Sequence, residues 1–142
     1  MRKTYLAVVQ GHWPKDLQKI DAPLSRDRLQ SGEREAFVDE DSGKASVTLF
    51  RVIKYSKKNT LLQVRPKTGR MHQIRVHCQH AGYPIINDPK YNAWRTEGRM
   101  GLHAETLQFK LLSEDTPYQF QVAPDAAFTA LLGDEQPENS HE

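Results

Sequence analysis

The stretch Arg65-Pro-Lys-Thr-Gly-Arg-Met-His-Gln-Ile-Arg-Val-His-Cys-Gln-His-Ala-Gly82, running on to Tyr83-Pro-Ile-Ile-Asn-Asp88, organises this sequence. Pro66-Lys-Thr-Gly69 reads as a turn, and Thr68 is placed to N-cap a helix beginning just after it. From Arg70 to Ala81 the residues read as that helix, because Met71, Ile74, Cys78 and Ala81 recur on one apolar stripe. Gly82 is its natural stop, since a residue that tolerates positive φ ends a helix without strain. His72, Arg75 and Gln79 share another face, while Arg70 and Gln73 crowd the first turn. So much hydrogen-bonding chemistry beside a narrow apolar seam marks this segment as the expected seat of function.

Upstream of it, residues 45–55 and 60–65 are two β runs joined by the hairpin loop Ser56-Lys-Lys-Asn59. Residues 4–10 form another β-rich run, ended by Gly11. Residues 12–34 are irregular, with Pro14, Pro23 and Gly32, and hold a short strand near 17–20; a further short strand is expected at 36–40 before a turn at 39–43. Downstream, residues 83–100 are irregular. At 106–111, Leu107, Phe109 and Leu111 alternate with polar residues; 113–117 is a turn, and Tyr118, Phe120 and Val122 alternate on the return strand. Residues 124–132 read as a short helix, with Pro124 near its start and Gly133 at its stop. Residues 134–142 lack an apolar anchor and are expected to form a disordered acidic tail. The expected architecture is α+β: a mixed, mostly antiparallel sheet with one motif helix and one short C-terminal helix.

Composition bounds the function classes. The chain has 142 residues, 37% hydrophobic and 27% charged, which suits a soluble globular domain with a core of its own. No apolar run approaches the ~20 residues of a membrane span, and the opening Met-Arg-Lys-Thr-Tyr has no signal-peptide character. The single cysteine, Cys78, excludes an intramolecular disulfide framework and suits a cytoplasmic protein; its place on the apolar stripe reads as a small buried hydrophobe. The net charge of +2 conceals a segregation. Residues 1–50 are balanced, 51–110 carry 12 Lys/Arg against 3 Asp/Glu, and 111–142 carry 7 Asp/Glu and no Lys/Arg. A basic block around the central motif is the footprint of a polyanion binder, although a solvated basic face has the same charge pattern. His72, His77, His80 and His103 do not form a metal motif. His72 and His77 point about 140° apart around a helix, and neither Cys-x-x-Cys nor His-Glu-x-x-His occurs.

The run Arg-Pro-Lys-Thr-Gly-Arg-Met-His-Gln-Ile-Arg-Val-His, followed by Ala-Gly-Tyr-Pro-Ile-Ile-Asn-Asp-Pro-Lys-Tyr, resembles the C-terminal signature of the RluA/RluC-type ribosomal RNA pseudouridine synthases. Lys3-Thr-Tyr-Leu-Ala-Val-Val-Gln-Gly11, Gly43-Lys-Ala-Ser-Val-Thr48 and Gly101-Leu-His-Ala-Glu-Thr-Leu107 are similar to further segments of that family, in the same order. Met71, Tyr83, Asn87 and Asn92 depart mildly from its pattern. The family's catalytic aspartate lies in a His-Arg-Leu-Asp segment upstream of the tyrosine-bearing strand, and no such segment occurs in these 142 residues.

The resemblance implies cofactor-free isomerisation of an RNA uridine: the glycosidic bond breaks, the base turns, and it rejoins through carbon. It matches Tyr5 to the tyrosine that stacks on the uracil and Arg75 to the arginine that pairs with the catalytic aspartate. On pattern alone, Tyr5 reads first as a core aromatic, while Arg75 reads equally as a helix-surface cation. Arg65, Lys67 and Arg70, around the expected helix start, are candidates for RNA phosphate contacts. His72 and Gln73 are candidates for base contacts, with a capping role left open. The chain is therefore expected to be the C-terminal part of a catalytic domain (residues 1–133), binding RNA but inactive alone. Asp88 is the nearest other acid in the motif. A non-catalytic RNA-binding remnant or a truncated product is the alternative, and the oligomeric state is not readable.

Overall fold

The computed structural model describes residues 2–28, 30–109 and 118–134. In chain order the elements are β1 (Arg2–Gln10), β2 (Lys19–Asp21), β3 (Leu24–Arg28), β4 (Arg34–Val38), β5 (Val47–Tyr55), β6 (Asn59–Pro66), α1 (Gln73–His80), β7 (Leu102–Phe109), β8 (Tyr118–Gln121) and α2 (Ala126–Ala130). Strand β1 takes a central place because it is apolar on both faces. Ala7 and Val9 point to one side and Leu6 and Val8 to the other, all 7% exposed or less. It pairs antiparallel with β6 (Tyr5 opposite Val64) and with β7 (Tyr5 opposite Ala104). The six-stranded sheet runs β2-β5-β6-β1-β7-β8, and β3 and β4 form a separate two-stranded hairpin.

Each face of β1 has its own cover. Ala7 and Val9 pack with Trp13, Phe50, Leu62 and Val64 of the sheet side and with Ile74 and Cys78 of α1. Leu6 and Val8 pack under Phe128 of α2. A third cluster, Leu24, Ala36, Val76 and Tyr91, ties the β3–β4 hairpin to the back of α1. The antiparallel α+β architecture expected from the sequence is the one observed. No helix among the described residues is long and apolar enough to cross a membrane.

The differences are local. Helix α1 begins at Gln73 rather than Arg70, and His72, at φ 52°, is its N-cap. Thr68 does not cap it. The Thr68 hydroxyl donates to Gln73 Oε1 (2.6 Å), which also accepts the Arg70 N–H (3.1 Å), so residues 68–72 wrap around the Gln73 amide before the helix starts. Arg65, Lys67 and Arg70 consequently precede the helix instead of bracketing its first turn. The far end behaves as expected. Gly82 has φ 92°, its N–H bonds Gln79 O (2.9 Å) and the Tyr83 N–H bonds Cys78 O (3.0 Å), a full Schellman closure.

Strand β3 lies in a stretch expected to be irregular, because Ser25, Arg26 and Asp27 hide a strand whose stability comes from the hairpin partner. The short strand expected at 17–20 lies at Lys19–Asp21, and β7 starts at Leu102 rather than at 106. Helix α2 is shorter than expected, with Asp125 as N-cap accepting the Phe128 N–H at 2.7 Å. Leu111, the turn at 113–117 and the tail beyond Asp134 lie outside the described residues.

The irregular segment 83–101 is held against β1. Val9 bridges Ile85, the Gly101 N–H bonds Ile86 O (2.9 Å), and Gly101 O accepts the Val8 N–H (2.8 Å). A Cβ at Gly101 would lie 2.7 Å from Val8 O, so glycine permits this close approach. Asp88 is thereby fixed beside α1.

Candidate functional site

Residues of β1, of the 66–75 turn and start of α1, and of the 100–102 segment line an open cleft of about 280 Å³. Tyr5, Ile74, Met100 and Leu102 give it an aromatic and apolar lining, and Arg70, His72 and Arg75 give it a polar one. Five of the seven residues singled out from the sequence, Tyr5, Arg70, His72, Gln73 and Arg75, therefore meet here. Arg65 and Lys67 do not line the cleft, although their neighbours Pro66 and Thr68 do.

Arg75 is held rigidly. Its Nε and Nη2 each donate to Asp88 at 2.8 Å, a bidentate pair. The Asp88 side chain is fully buried and that of Arg75 is 15% exposed. Asp88 Oδ1 also accepts the N–H groups of Lys90 (2.9 Å) and Tyr91 (3.1 Å). Burial alone would raise the Asp88 carboxyl, but the Arg75 bonds and the two backbone donors outweigh it and hold the group below the usual carboxylate range. The guanidinium also lies over the Tyr91 ring, 5.0 Å from its centre. The family resemblance pairs Arg75 with an aspartate outside the 142 residues. The structure adds an internal partner, Asp88 of the same motif. No pattern marks that pairing, because Asp88 sits in an irregular segment and meets Arg75 only through tertiary contact.

His72 is placed by the same tyrosine. The Tyr91 hydroxyl accepts the Ala36 N–H (2.9 Å) and lies 2.7 Å from His72 Nδ1. A neutral imidazole accepting the hydroxyl proton satisfies both contacts. Burial first, then the charges of Arg75 and Lys90, push His72 below its ordinary pKa and favour that neutral form.

Gln73 is buried, and its amide is fully engaged. Nε2 donates to Val47 O and to Thr48 Oγ1, both at 2.9 Å, and Oε1 receives Thr68 and Arg70. It holds the turn and α1 to β5, the structural role left open by the sequence. The chain of bonds continues inward. The Thr48 hydroxyl donates to His77 Nδ1 (2.8 Å), and His77 Nε2 donates to Ala22 O (3.0 Å). Cys78 is buried, and desolvation raises its thiol far above the ordinary range, which removes it as a nucleophile.

The His77 network gives a pH signature. Burial above all lowers the His77 pKa from its ordinary value of 6.5. The folded state therefore binds this proton more weakly than the unfolded chain, so its contribution to stability is complete above pH about 6.5 and declines below it. His77→Gln is expected to cost about 1–3 kcal/mol at pH 7, by leaving Thr48 or Ala22 without a partner. It should also flatten the loss of stability between pH 7 and 5, although His72, lowered in the same direction, keeps part of the slope. Urea midpoints across that range measure both.

An aromatic floor beside fixed guanidinium groups suits a planar base on an anionic backbone. Comparison with known proteins agrees. A family model described as RNA pseudouridylate synthase matches residues 1–80. The chain is 42% identical over 119 residues to ribosomal large subunit pseudouridine synthase C of Escherichia coli (strain K12), a match covering 77% of this chain and 37% of that protein. It is 41% identical over 118 residues to the protein of the same name from Haemophilus ducreyi, covering 78% and 37%. Among solved structures, human RNA pseudouridylate synthase domain containing 1 matches with a TM-score of 0.71 at 25% identity, over 92% of this chain and 57% of that one. This chain belongs to the RNA pseudouridylate synthase family, and it spans 37% of the length of these curated relatives.

Proposed function

We propose that this chain acts in the isomerisation of uridine to pseudouridine in large-subunit ribosomal RNA, as the names of its relatives indicate for those proteins, and that the Tyr5–Arg75 cleft receives the uracil. The observation that carries the reading is that Tyr5 and Arg75, distant in sequence, line one cleft. In it, Tyr5 stacks on the turned-out base. Asp88, with no exposed surface and both oxygens engaged, is a positioning residue that fixes Arg75 and is not the nucleophile. Arg75 Nη1, not used by Asp88, orients the carboxylate of a catalytic aspartate. That aspartate belongs to a His-Arg-Leu-Asp segment, which the 142 residues do not contain. Arg65, Lys67 and Arg70 hold phosphates along the cleft mouth.

The test is binding of a labelled, uridine-containing single-stranded fragment of large-subunit ribosomal RNA, read by fluorescence anisotropy, with pseudouridine read by mass spectrometry. Tyr5→Ala is expected to weaken binding about 5- to 150-fold, the value of one base stacked on an aromatic ring (~1–3 kcal/mol), and Tyr5→Phe to retain it. Conversion is expected once a polypeptide carrying the His-Arg-Leu-Asp segment is added. A folded Tyr5→Ala protein that binds like the parent would sink the assignment of the cleft. Binding with no conversion in the mixture would leave an RNA-binding module and overturn the catalytic part.

A further inference from the structure

Arg75 and Met100 also line a second open cavity of about 400 Å³, walled by the loop that follows Asn87. Arg75, Asn87, Arg95, Thr96, Glu97 and Met100 are among its lining residues, two cationic and one acidic. Two asparagines pin the loop at its ends. Asn92, 1% exposed, donates to Ile85 O (2.8 Å) and accepts the Trp94 N–H on its side-chain oxygen (2.8 Å). Asn87, in the left-handed region at φ 59°, accepts the Thr96 N–H and hydroxyl (3.2 and 2.8 Å) and donates to Arg99 O (3.2 Å). The Arg95 guanidinium bonds back to Asn92 O at 3.1 Å. At the tip of this pinned loop, Trp94 is 75% exposed, the most exposed of the large apolar side chains described. Folding gains little from an indole left in water, whereas a loop held at both ends presents its flat face with little entropy left to lose on binding.

We propose that Trp94 is a stacking platform for a second RNA base, one that flanks the uracil in the Tyr5–Arg75 cleft, with Arg95 holding the intervening backbone. The inference rests on the reading of that cleft as an RNA site. Trp94 immediately precedes Arg95, which lines the cavity, and an exposed aromatic face next to a cation binds single strands with little base preference, because every base has a π-face to stack. Arg75 lines both cavities and so joins the two base positions along one strand.

The chain has two tryptophans, and Trp13 is 1% exposed, so red-shifted emission reports Trp94. The probe is an oligouridylate of about ten nucleotides, within the usual ~4–16-nucleotide site of single-strand binders. Addition should quench this emission. Trp94→Leu should abolish the optical change and weaken binding measured by anisotropy about tenfold, while Trp94→Phe retains most of the affinity. The slope of affinity against salt should be unchanged in Trp94→Leu, since stacking releases no counterions. Binding of undiminished affinity by Trp94→Leu, with no quenching in the parent, would overturn this inference and leave the Tyr5–Arg75 reading intact. No binding of the oligouridylate by the parent would overturn both.

Discussion

Arg75→Ala is expected to lower the free energy of unfolding by about 3–5 kcal/mol, because it strands a fully buried carboxylate. The wild-type pair offsets the desolvation of Asp88 through two charge-assisted bonds of 2.8 Å. Remove the guanidinium and only the Lys90 and Tyr91 N–H groups remain to Asp88. The pH dependence should then reverse. In the parent, the Asp88 pKa is depressed from 3.8, so its stabilisation is present above about pH 4 and is lost as pH falls through the folded value. In the variant, burial without a counter-charge raises the folded pKa, so the Asp88 contribution improves as the pH is lowered from 7 towards 4, opposing the decline that His77 brings over the same range. Arg75→Met combined with Asp88→Asn removes both charges and keeps an acceptor for the two N–H groups. It should be more stable than Arg75→Ala alone. Urea denaturation of the parent, Arg75→Met, Asp88→Asn and the double variant closes the cycle; additive losses would mean that the pair is not coupled. The consequence for function is practical. Loss of RNA binding in Arg75→Ala says nothing about the cleft until the fraction folded has been measured.

Trp13→Ala should be comparably damaging, at about 3–5 kcal/mol. The Trp13 indole, 1% exposed, packs on Phe50 (4.5 Å between ring centres) and Tyr83 (5.5 Å). Its Nε1 donates to Leu17 O at 2.8 Å, and its backbone N–H reaches Thr60 Oγ1 at 3.0 Å. One side chain thus ties the 12–18 excursion, β5, β6 and the segment after α1 into the main core. Alanine leaves a large cavity among groups that the sheet prevents from closing. Trp13→Phe, which keeps a ring against Phe50 and gives up the Leu17 bond, should lose less than half as much. Thermal and urea melts of the two variants distinguish packing from the single hydrogen bond.

How far the sequence reveals each residue depends on where that residue sits. Strands β1, β5 and β6 and the Ser56–Asn59 loop are legible because alternation and turn chemistry are local properties. Trp13 is not, since it lies in a stretch without periodicity and acts only through contacts made far along the chain. The start of α1 moves by three residues because the Gln73 amide competes successfully for the Arg70 N–H and the Thr68 hydroxyl, a choice made by tertiary burial against Val47 and Thr48. For the site, Tyr5 and Arg75 come from family resemblance; pattern alone favours a core aromatic at Tyr5. Asp88 is visible as an acid of the motif, yet only the fold shows that it holds Arg75. Trp94 carries no pattern at all, and its exposure is a property of the pinned loop.

The central position of β1 has a kinetic side. Tyr5 pairs with Val64 on one edge and Ala104 on the other, so neither neighbour exists when β1 is synthesised. At ~5–20 residues per second, the strand waits roughly 5–20 s for its second partner. During that wait its Leu-Ala-Val-Val run, apolar on both sides, lies open to other chains. Such long-range antiparallel closure makes folding slow for a domain of this size. Tyr5 is therefore among the last residues to reach its final setting, and slower synthesis lengthens the exposure of this run.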